Sequence, residues 1–521
     1  MALSVIDLFA GPGGLNEGFS HVRDAHGNRV FRTVLSVECE ESAHRTLELR
    51  ALFRRLQDAG ETRDYYRYIA GKISHDDLFA LHRAAGDEAQ EEALKAKLGG
   101  AETVDLHIEQ RIDNALRKAK ADECVLIGGP PCQAYSLVGR ARRTNDIEFE
   151  ADDKHLLYQH YLATVERFRP AVFLMENVPG LLSAKHRGKR MFELICGDLR
   201  GAGYELHPVA PEATLEPRSD DPSRFVVAAN QFGVPQARSR VFILGLRKDL
   251  ALKPTSLTRE EGGELVVKDV IHDLPRIRSR LSREQDCGYN WQSAIQELQR
   301  YQYAGLEQSF REALRDRLNT VHPNYPVGDR VMHRTAPGPT GLFNWYVDPD
   351  CEYILNHNSR SHMRADLRRY FFWSEFAAFY GYSPKLSSVP CYLRPDHDNV
   401  SGDASDLPFE DRFRVQVRSK PSSTIMSHIS KDGHYYIHYE PRQCRSLSVR
   451  EAARLQTFPD NYFFEGAVTD QYKQVGNAVP PFLAKQIACL VHTILTGAVA
   501  ANAIDVPRTP PLGGSKLMAT T

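Results

Sequence analysis

The sequence predicts a doubly wound α/β fold followed by a second, irregular domain. The chain opens with a short apolar strand (4–9), a glycine-rich turn and the start of a helix. A second strand (33–37) follows and ends at Glu38, as in domains of this class. Further apolar stretches predict strands at 124–129, 171–180, 225–229 and 241–246. We expect about six strands in a mainly parallel sheet, with functional side chains at the strand ends.

The changes in this pattern suggest the domain boundaries. Residues 1–250 form the α/β domain, and residues 41–123 within it are expected to be an insertion of solvated helices, because their apolar residues recur at spacings of three and four. Residues 251–464 lack strand–helix alternation over most of their length and predict an irregular α+β domain. The segment 501–521, which carries DVPRTPPLGG, predicts a disordered tail.

Composition disfavours several classes of protein. The 521 residues include 66 Lys and Arg against 67 Asp and Glu, and this balance argues against a protein that binds polyanions through bulk charge. The nine cysteines form no C-x-x-C pair, so we expect reduced thiols, a cytoplasmic location and no metal site. No signal peptide is recognisable. The apolar stretch near the C-terminus carries Lys485, Gln486 and His492, which favours a packed helix over a membrane span.

A glycine loop and a strand-end carboxylate suggest a ligand site. Gly11, Gly13 and Gly14 follow the first strand and open a helix, so the backbone there can approach a ligand closely. The spacing G-x-G-G differs from the G-x-G-x-x-G of dinucleotide binding. Glu38 could bond the two hydroxyls of a ribose. A nucleoside that carries a carboxylate but no phosphate fits these parts; a tight turn and a surface carboxylate are the alternatives.

Two further strand ends carry reactive side chains. Two prolines fix the backbone before Cys132, and a thiol presented at a rigid strand end is a nucleophile when a nearby cation lowers its pKa from roughly 8.5. Glu176 ends the strand at 171–180, and a carboxyl in a closed pocket can donate a proton near neutral pH. Inert core packing of the cysteine and an ion-paired or capping glutamate are the alternatives.

Arginines recur in three polar segments. Strand alternation places Gln236, Arg238 and Arg240 on one face, where two guanidiniums can contact an anion or a carbonyl oxygen. The segments 134–155 and 357–373 are also rich in arginine and suit contacts with phosphate. The alternatives are a solvated charged edge, a solvated loop, and a helix packed by its aromatic residues with an exposed arginine face.

In their order along the chain, these segments resemble the DNA cytosine-5 methyltransferase family. Seven motifs carry the resemblance: DLFAGPGG (7–14), VE (37–38), GGPPCQAYS (128–136), ENV (176–178), QARSR (236–240), RSLSVREAARLQTFPD (445–460) and QVGNAVPP (474–481). The resemblance implies a Rossmann-like methyltransferase sheet in a catalytic domain (1–250), onto which residues 465–500 fold back. It also implies that residues 251–464 form a target-recognition domain.

The same resemblance implies a cofactor, a substrate and roles for individual residues. Cys132 would attack C6 of a cytosine flipped out of duplex DNA, Glu176 would protonate N3, and Arg240 would contact O2, with Arg238 supporting the Cys132–Glu176 pair. The cofactor would be S-adenosyl-L-methionine, bound by Phe9, Gly11, Gly13, Gly14, Glu38, Ile73, Leu157, Asn477 and Val479. DNA would be contacted by Gln133, Ser136, Arg140, Arg142, Arg143, Gln236, Arg364 and Arg368.

Two departures from the family pattern and several alternative functions bear on this interpretation. Cys39 stands where an aromatic residue often follows the ribose glutamate, and only Lys72-Ile73 matches the Asp-Ile pair expected after the third strand. We expect a monomer of bacterial type that acts on double-stranded DNA, alongside a cognate restriction or defence-system protein. The alternatives are a transfer-RNA cytosine-5 methyltransferase, disfavoured by the long recognition region, and an inactive DNA-binding module, disfavoured by the intact catalytic set. A nicotinamide oxidoreductase is disfavoured by the glycine spacing.

Overall fold

A computed structural model describes the chain except at Met1, 132–156, Arg187, 211–220, 260–262, Gln302, Ala304, 396–409 and 498–521. Six of the residues predicted to act in the site, and the segment 501–521, therefore lie outside the described residues. The six are Cys132, Gln133, Ser136, Arg140, Arg142 and Arg143.

The described residues contain 16 strands and 16 α-helices. The strands are β1 (Leu3–Leu8), β2 (Phe31–Glu38), β3 (Ala93–Lys95), β4 (Cys124–Gly128), β5 (Val172–Asn177), β6 (Lys185–His186), β7 (Lys189–Arg190), β8 (Tyr204–His207), β9 (Val226–Ala228), β10 (Gln236–Ala237), β11 (Ser239–Arg247), β12 (Arg280–Leu281), β13 (Gly328–His333), β14 (Tyr353–Asn358), β15 (Ser361–His362) and β16 (Ser422–Ser423). The helices are α1 (Gly14–Ser20), α2 (Glu41–Ala59), α3 (Arg63–Ile69), α4 (His75–Leu81), α5 (Arg83–Glu92), α6 (Glu102–Ala119), α7 (Leu157–Phe168), α8 (Met191–Gly201), α9 (Val267–Ile271), α10 (Gly288–Gln296), α11 (Gln308–Asn319), α12 (Phe343–Tyr346), α13 (Arg364–Tyr380), α14 (Val449–Leu455), α15 (Val468–Asn477) and α16 (Pro481–Thr496).

An eight-stranded sheet forms the centre of the first domain, in the order β3-β2-β1-β4-β5-β11-β8, with β9 paired to β11. Strands β3, β2, β1, β4 and β5 are parallel, so the predicted mainly parallel α/β fold is confirmed. Strand β11 instead runs antiparallel to β5, with Val241 opposite Asn177. The first residues of β11 therefore lie beside the last residues of β5.

Helices cover both faces of this sheet because its strands alternate apolar residues between them. On one face, Phe19 of α1 and Leu483 and Ile487 of α16 join the core formed with Val5. Helices α6, α7 and α8 pack on the other face, where they bury Ile112, Tyr161 and Ile195. The last described helix of the chain therefore completes the core that β1 and α1 begin.

The insertion at 41–123 is more than the solvated helices that the sequence predicts. Its helices α2 to α6 enclose β3, which extends the sheet as a parallel neighbour of β2, with Ser36 opposite Ala93. Helices α2 and α3 bury Phe53 and Tyr65 in a cluster that also contains Leu355 and Phe463 from the second half of the chain. The insertion thus supplies the edge strand of the sheet and also packs against the second domain.

The second domain is built on helices and short two-stranded sheets. Helix α13 is buried through Tyr370 and Trp373 among residues of α10 and α11, including Trp291 and Phe310. The pairs β12–β15 and β13–β14 make its small sheets. Its last helix, α14, begins at a capping box in which Ser448 and Glu451 satisfy each other's backbone N–H groups.

One stretch of the described residues, Val468–Thr496, is long and apolar enough to cross a membrane by length and composition. Of its most apolar window, 72% is buried inside the structure, as in the core helix of a folded domain.

Candidate active site

The carboxyl ends of the parallel strands meet at one edge of the sheet and carry most of the predicted site. The glycine loop follows β1, and Glu38 is the last residue of β2. Pro130 follows β4, and Glu176 is the next-to-last residue of β5. Because β11 is reversed, Arg240 enters the same edge from the beginning of its strand. The fold therefore brings together side chains that lie more than two hundred positions apart.

The glycine loop has one open position and two packed positions. Gly11 adopts a left-handed φ of 57°, and a Cβ there would meet nothing within 4 Å. Gly13 also has a positive φ, of 93°, and its Cβ would lie 2.9 Å from Leu47. A Cβ on Gly14 would lie 2.3 Å from the carbonyl oxygen of Val479. Gly11 thus leaves room beside the loop, whereas Gly14 allows α1 to approach the segment that precedes α16.

Glu38 is fixed against this loop by backbone donors. Its Oε2 accepts from the N–H of Gly11 at 2.7 Å, and its Oε1 accepts from the N–H groups of Cys39 and Glu40 at 2.8 and 2.7 Å. A carboxylate accepts about four hydrogen bonds, so lone pairs are left for a ligand. The strand end presents a preoriented carboxylate beside the open position at Gly11.

Asp7 is a buried carboxyl at the same edge of the sheet to which the sequence assigned no role. It is 1% exposed, and neither of its carboxyl oxygens has a hydrogen-bond partner among the described residues. Burial raises the pKa of Asp7 well above its usual value, and the nearby Glu38 raises it further, while Arg54 lowers it. A buried carboxyl without a donor favours a cationic or hydrogen-bonding ligand. An acidic residue inside an apolar strand (LSVIDL) was the available signal.

An ion pair forms the centre of the other half of the site. Nε of Arg240 lies 2.9 Å from Oε1 of Glu176, and both side chains are 14% exposed. Burial lowers the pKa of Arg240, and Glu176 partly offsets that change. A Cβ on Gly129 would lie 3.0 Å from Oε2 of Glu176, so the absence of a side chain at Gly129 leaves room for the carboxylate beside the backbone after β4. The pair is shielded from water but still open to a small ligand.

Asn177 anchors the backbone that leads to Cys132. Its Nδ2 donates to the carbonyl oxygen of Pro130 at 3.2 Å, and its Oδ1 accepts from the N–H of Val178 at 2.8 Å. Pro131 is the last described residue before Cys132.

Arg238 and Gln236 connect the sheet to the second domain. The guanidinium of Arg238, 2% exposed, donates to the carbonyl oxygens of Ile425 at 2.8 Å and Ala478 at 2.9 Å. Burial and the neighbouring Arg240 hold its pKa well below the usual value, against the charge of Glu176. Gln236 is fully buried; its amide donates to the carbonyl oxygen of Leu455 and accepts from the N–H of Ile425. Its full burial and its bonds to the second half of the chain disfavour the expected DNA contact by Gln236.

Comparison with known proteins agrees with this arrangement. The model of the family described as C-5 cytosine-specific DNA methylase matches residues 87–491. The chain belongs to this family. Over 509 residues it is 33% identical to the type II methyltransferase M.Bpa9945I of Bacillus paralicheniformis, a match that covers 95% of this chain and 99% of the relative. It is 28% identical over 415 residues to the type II methyltransferase M.AgeI of Thalassovita gelatinovora, covering 74% of this chain and 86% of the relative.

A third relative carries the activity in its name. The DNA (cytosine-5-)-methyltransferase M.ApeKI of Aeropyrum pernix is 27% identical over 553 aligned positions, which cover 94% of this chain and 98% of the relative. Among solved structures, that of a putative DNA modification methyltransferase of an Escherichia coli prophage aligns with a TM-score of 0.47 and 20% identity, over 95% of this chain and 99% of that one. The methylase is thus an enzyme of the cytosine-5 DNA methyltransferase class.

The cofactor side of the methylase differs from the prediction at one position. Ile73 follows no strand: it lies in the turn between α3 and α4 and packs in the cluster around Phe53. The third strand is β3, and Ala96 just after it donates its N–H to the carbonyl oxygen of Glu38 at 3.1 Å. A Cβ on Gly99 would lie 3.0 Å from Leu157. The segment 96–99, not Ile73, therefore lies between Glu38 and Leu157.

The recognition side of the methylase differs for its two described arginines. Arg364 donates to Glu284 at 2.8 Å and to Glu297 at 2.7 Å, and Arg368 also pairs with Glu297. Their positive charges are already neutralised by carboxylates, so the expected contacts with DNA phosphate are disfavoured at both positions. The structure instead fits the alternative of a helix packed by aromatic residues with a paired arginine face.

Proposed function

We propose that this methylase transfers a methyl group from S-adenosyl-L-methionine to C5 of a flipped cytosine in a specific duplex sequence. The observation that carries the proposal is the Glu176–Arg240 pair, 2.9 Å apart and beside Gly129, in the backbone that leads to Cys132. A proton-donating carboxyl, a guanidinium and a thiol at one strand edge are the groups that addition to a pyrimidine ring requires.

The glycine-loop half of the site fits the cofactor. Glu38 offers a fixed carboxylate for the two ribose hydroxyls, and Gly11 leaves open space beside it. The unpartnered carboxyl of Asp7 suits a cofactor that carries positive charge on sulfur and nitrogen. Phe9, Leu157, Asn477 and Val479 are proposed to complete the pocket. When bound there, S-adenosyl-L-methionine supplies the methyl group.

The catalytic half of the site acts on the base. A cytosine stacked in duplex DNA hides its C6 face, so the base must leave the helix, at a cost of a few kcal/mol. The Cys132 thiolate then forms a bond to C6, and Glu176 gives a proton to N3, which makes C5 electron-rich. C5 then gains the methyl group, and S-adenosyl-L-homocysteine is the leaving group. Loss of the C5 proton to a base from solvent and return of the N3 proton to Glu176 break the bond between Cys132 and C6 and restore the thiolate. Arg240 holds Glu176, and in this proposal it also donates to O2 of the base.

Arg238 acts as a positioning residue in this scheme. Its contacts with Ile425 and Ala478 tie the strand that carries Arg240 to the second domain and to the segment before α16. Its guanidinium is buried and makes no hydrogen bond to Glu176 among the described contacts, so it supports the catalytic pair through the backbone.

The biological setting follows from the relatives. M.Bpa9945I and M.AgeI are named as type II methyltransferases, so we infer that this enzyme protects cytoplasmic DNA in a restriction–modification system. It would act as a monomer on double-stranded DNA, with a cognate restriction or defence-system protein directed at the same sequence.

The test is incubation of the protein with tritiated S-adenosyl-L-methionine and either mixed-sequence duplex DNA or transfer RNA. We expect label in DNA only, and none with Cys132→Ala. A matched control is Cys196→Ala, which changes a buried cysteine of α8 outside the site. Label in transfer RNA only, or full activity of Cys132→Ala, would overturn the proposal. Duplexes that carry 5-fluorocytosine should trap a covalent complex with the wild type but not with Cys132→Ser.

A further inference from the structure

Three tyrosines of helix α3 reach from the helical insertion to the second half of the chain. Tyr65 is buried, Tyr66 is 8% exposed and Tyr68 is half-buried, and each donates its hydroxyl across this boundary. The acceptors are the carbonyl oxygen of Asn461 for Tyr65 at 2.8 Å, Oδ2 of Asp348 for Tyr66 at 2.5 Å, and Oε1 of Glu465 for Tyr68 at 2.5 Å. These three side chains are called the tyrosine clamp below.

Two of the three acceptors of the clamp are carboxylates, and each accepts a hydrogen bond from a second side chain as well. Asp348 accepts from Nδ2 of Asn461 at 2.6 Å, and Glu465 accepts from Arg330 at 3.2 Å. Burial raises the pKa of Tyr66 and of Tyr68 above the usual value, and the neighbouring carboxylate raises each further, so both hydroxyls remain donors at neutral pH. Hydrogen bonds from a neutral hydroxyl to a carboxylate are among the stronger ones in proteins.

The clamp holds the connector, defined here as residues 459–465, between α14 of the second domain and α15. The same connector is fixed from other directions. The hydroxyl of Tyr462 donates to the carbonyl oxygen of Pro12 in the glycine loop, and the N–H of Glu465 donates to Oγ1 of Thr46 in α2 at 2.9 Å. The chain therefore leaves the second domain along a path set by the insertion.

A second attachment lies close to the catalytic pair. Strand β10 pairs with β16, and Arg238 donates to Ile425 only two residues beyond β16. The second domain is thus held by the clamp, by the apolar cluster around Phe53 and Tyr65, and by the β10–β16 pairing. Weakening of the clamp loosens the attachment on the side of the insertion, while the β10–β16 pairing remains.

We propose that the tyrosine clamp fixes the second domain against the catalytic domain, and that Tyr66 and Tyr68 are positioning residues for DNA binding. This inference rests on the proposed function for its kinetic consequence, but not for its conformational one. Loss of the two hydroxyls loosens the second domain on the side of the insertion, while the β10–β16 attachment keeps its place. The cleft that receives DNA then changes, while the cofactor pocket, built on the sheet edge, does not.

The conformational arm uses hydrogen exchange of the full-length protein with Tyr66→Phe and Tyr68→Phe combined. Two lost hydrogen bonds should speed amide exchange in peptides covering the connector by about tenfold or more, with no change in peptides covering β16. Tyr204→Phe is the matched control, because its hydroxyl donates within the first domain to the carbonyl oxygen of Pro170 at 2.7 Å.

The kinetic arm measures methyl transfer by the same variants. The double variant should raise the KM for duplex DNA by about tenfold and leave the KM for the cofactor and kcat at saturating DNA unchanged. Unchanged exchange in the connector would overturn the clamp. If exchange in the connector is accelerated but the KM values for DNA and cofactor rise together, the positioning role is overturned. The same holds if exchange is accelerated and only kcat falls. No methyl transfer by the wild type would count against the proposed function alone, and exchange would still decide the clamp.

Discussion

The buried ion pair beneath the glycine loop gives the sharpest stability prediction. Glu17 of α1 accepts two hydrogen bonds from Arg50 of α2, at 2.5 and 2.9 Å, and the two side chains are 1% and 4% exposed. Burial alone would raise the pKa of Glu17, but the charge and hydrogen bonds of Arg50 lower it from its ordinary 4.5 to about 2. The carboxylate form is therefore the one that the folded state favours.

The pKa of Glu17 and the usual cost of breaking a buried ion pair give similar values for the stability that the Glu17–Arg50 pair contributes. A pKa lowered from 4.5 to about 2 corresponds to about 3 kcal/mol of stability at neutral pH. This contribution is fully present above pH 4.5 and is lost as the pH falls through 2. Removal of one partner of a buried pair costs about 3–5 kcal/mol, because the remaining charge is left unpaired. Glu17→Gln should therefore lower the free energy of unfolding at pH 7 by about 3–4 kcal/mol.

The assay is urea denaturation at pH 7 with a matched surface control. Glu91→Gln breaks an ion pair with Lys118 in which both side chains are more than half exposed, so the free energy of unfolding should hardly change. Glu17→Met combined with Arg50→Met removes both charges and should recover most of the loss. A loss below about 1 kcal/mol in Glu17→Gln would refute the reasoning, since no buried pair could then be contributing as described.

Three further outcomes are expected. Burial and Arg445 lower the pKa of His438 to about 3, so below pH 6.5 the unfolded chain binds a proton that the folded protein excludes. The free energy of unfolding should therefore be about 2 kcal/mol lower at pH 5 than at pH 7 from this group. In denaturation curves, His438→Gln should lose less stability between pH 7 and pH 5 than the wild type. Gly129→Ala would place its Cβ 3.0 Å from the Glu176 carboxylate, so kcat for methyl transfer should fall while the cofactor KM stays constant; an unchanged kcat would contradict the contact. Arg364→Ala should leave the KM for DNA within about twofold, because carboxylates already neutralise that charge, and a tenfold rise would instead restore its predicted role at phosphate.

The sequence predicted the parts of the site that local pattern encodes. Apolar runs bounded by glycine and proline located β1, β4 and β5, and the polar residues just after or at the end of those runs are the ones that meet at the sheet edge. The direction of β11 was not predictable in this way, since VFILGL is equally apolar in either orientation. Its reversal explains how Arg240 and Glu176 come to be neighbours.

Long-range packing explains the failures. Strand β3 has only three residues within EEALKAKL, a helix-favouring stretch, and it becomes a strand because β2 offers a free edge. Because β3 was not predicted, Ile73 was expected to follow the third strand instead of the residues just after Lys95. Gln236 looked exposed because its partners lie some 190 to 220 positions later in the chain. Asp7 was not assigned a role, although it begins the motif DLFAGPGG, because the sequence does not show that its carboxyl is buried without a hydrogen-bond donor.

The packing of α16 on α1 has a consequence for how the enzyme is made in the cell. A Cβ on Gly18 would lie 2.4 Å from Ala484, so the first helix of the chain is shaped to fit against nearly the last one described. Domains generally fold as units during synthesis, N-terminal units first. We therefore expect this domain to complete its core only after α16 has been synthesised, with the apolar side of α1 uncovered until then. A nascent or prematurely terminated chain without α16 lacks part of that core.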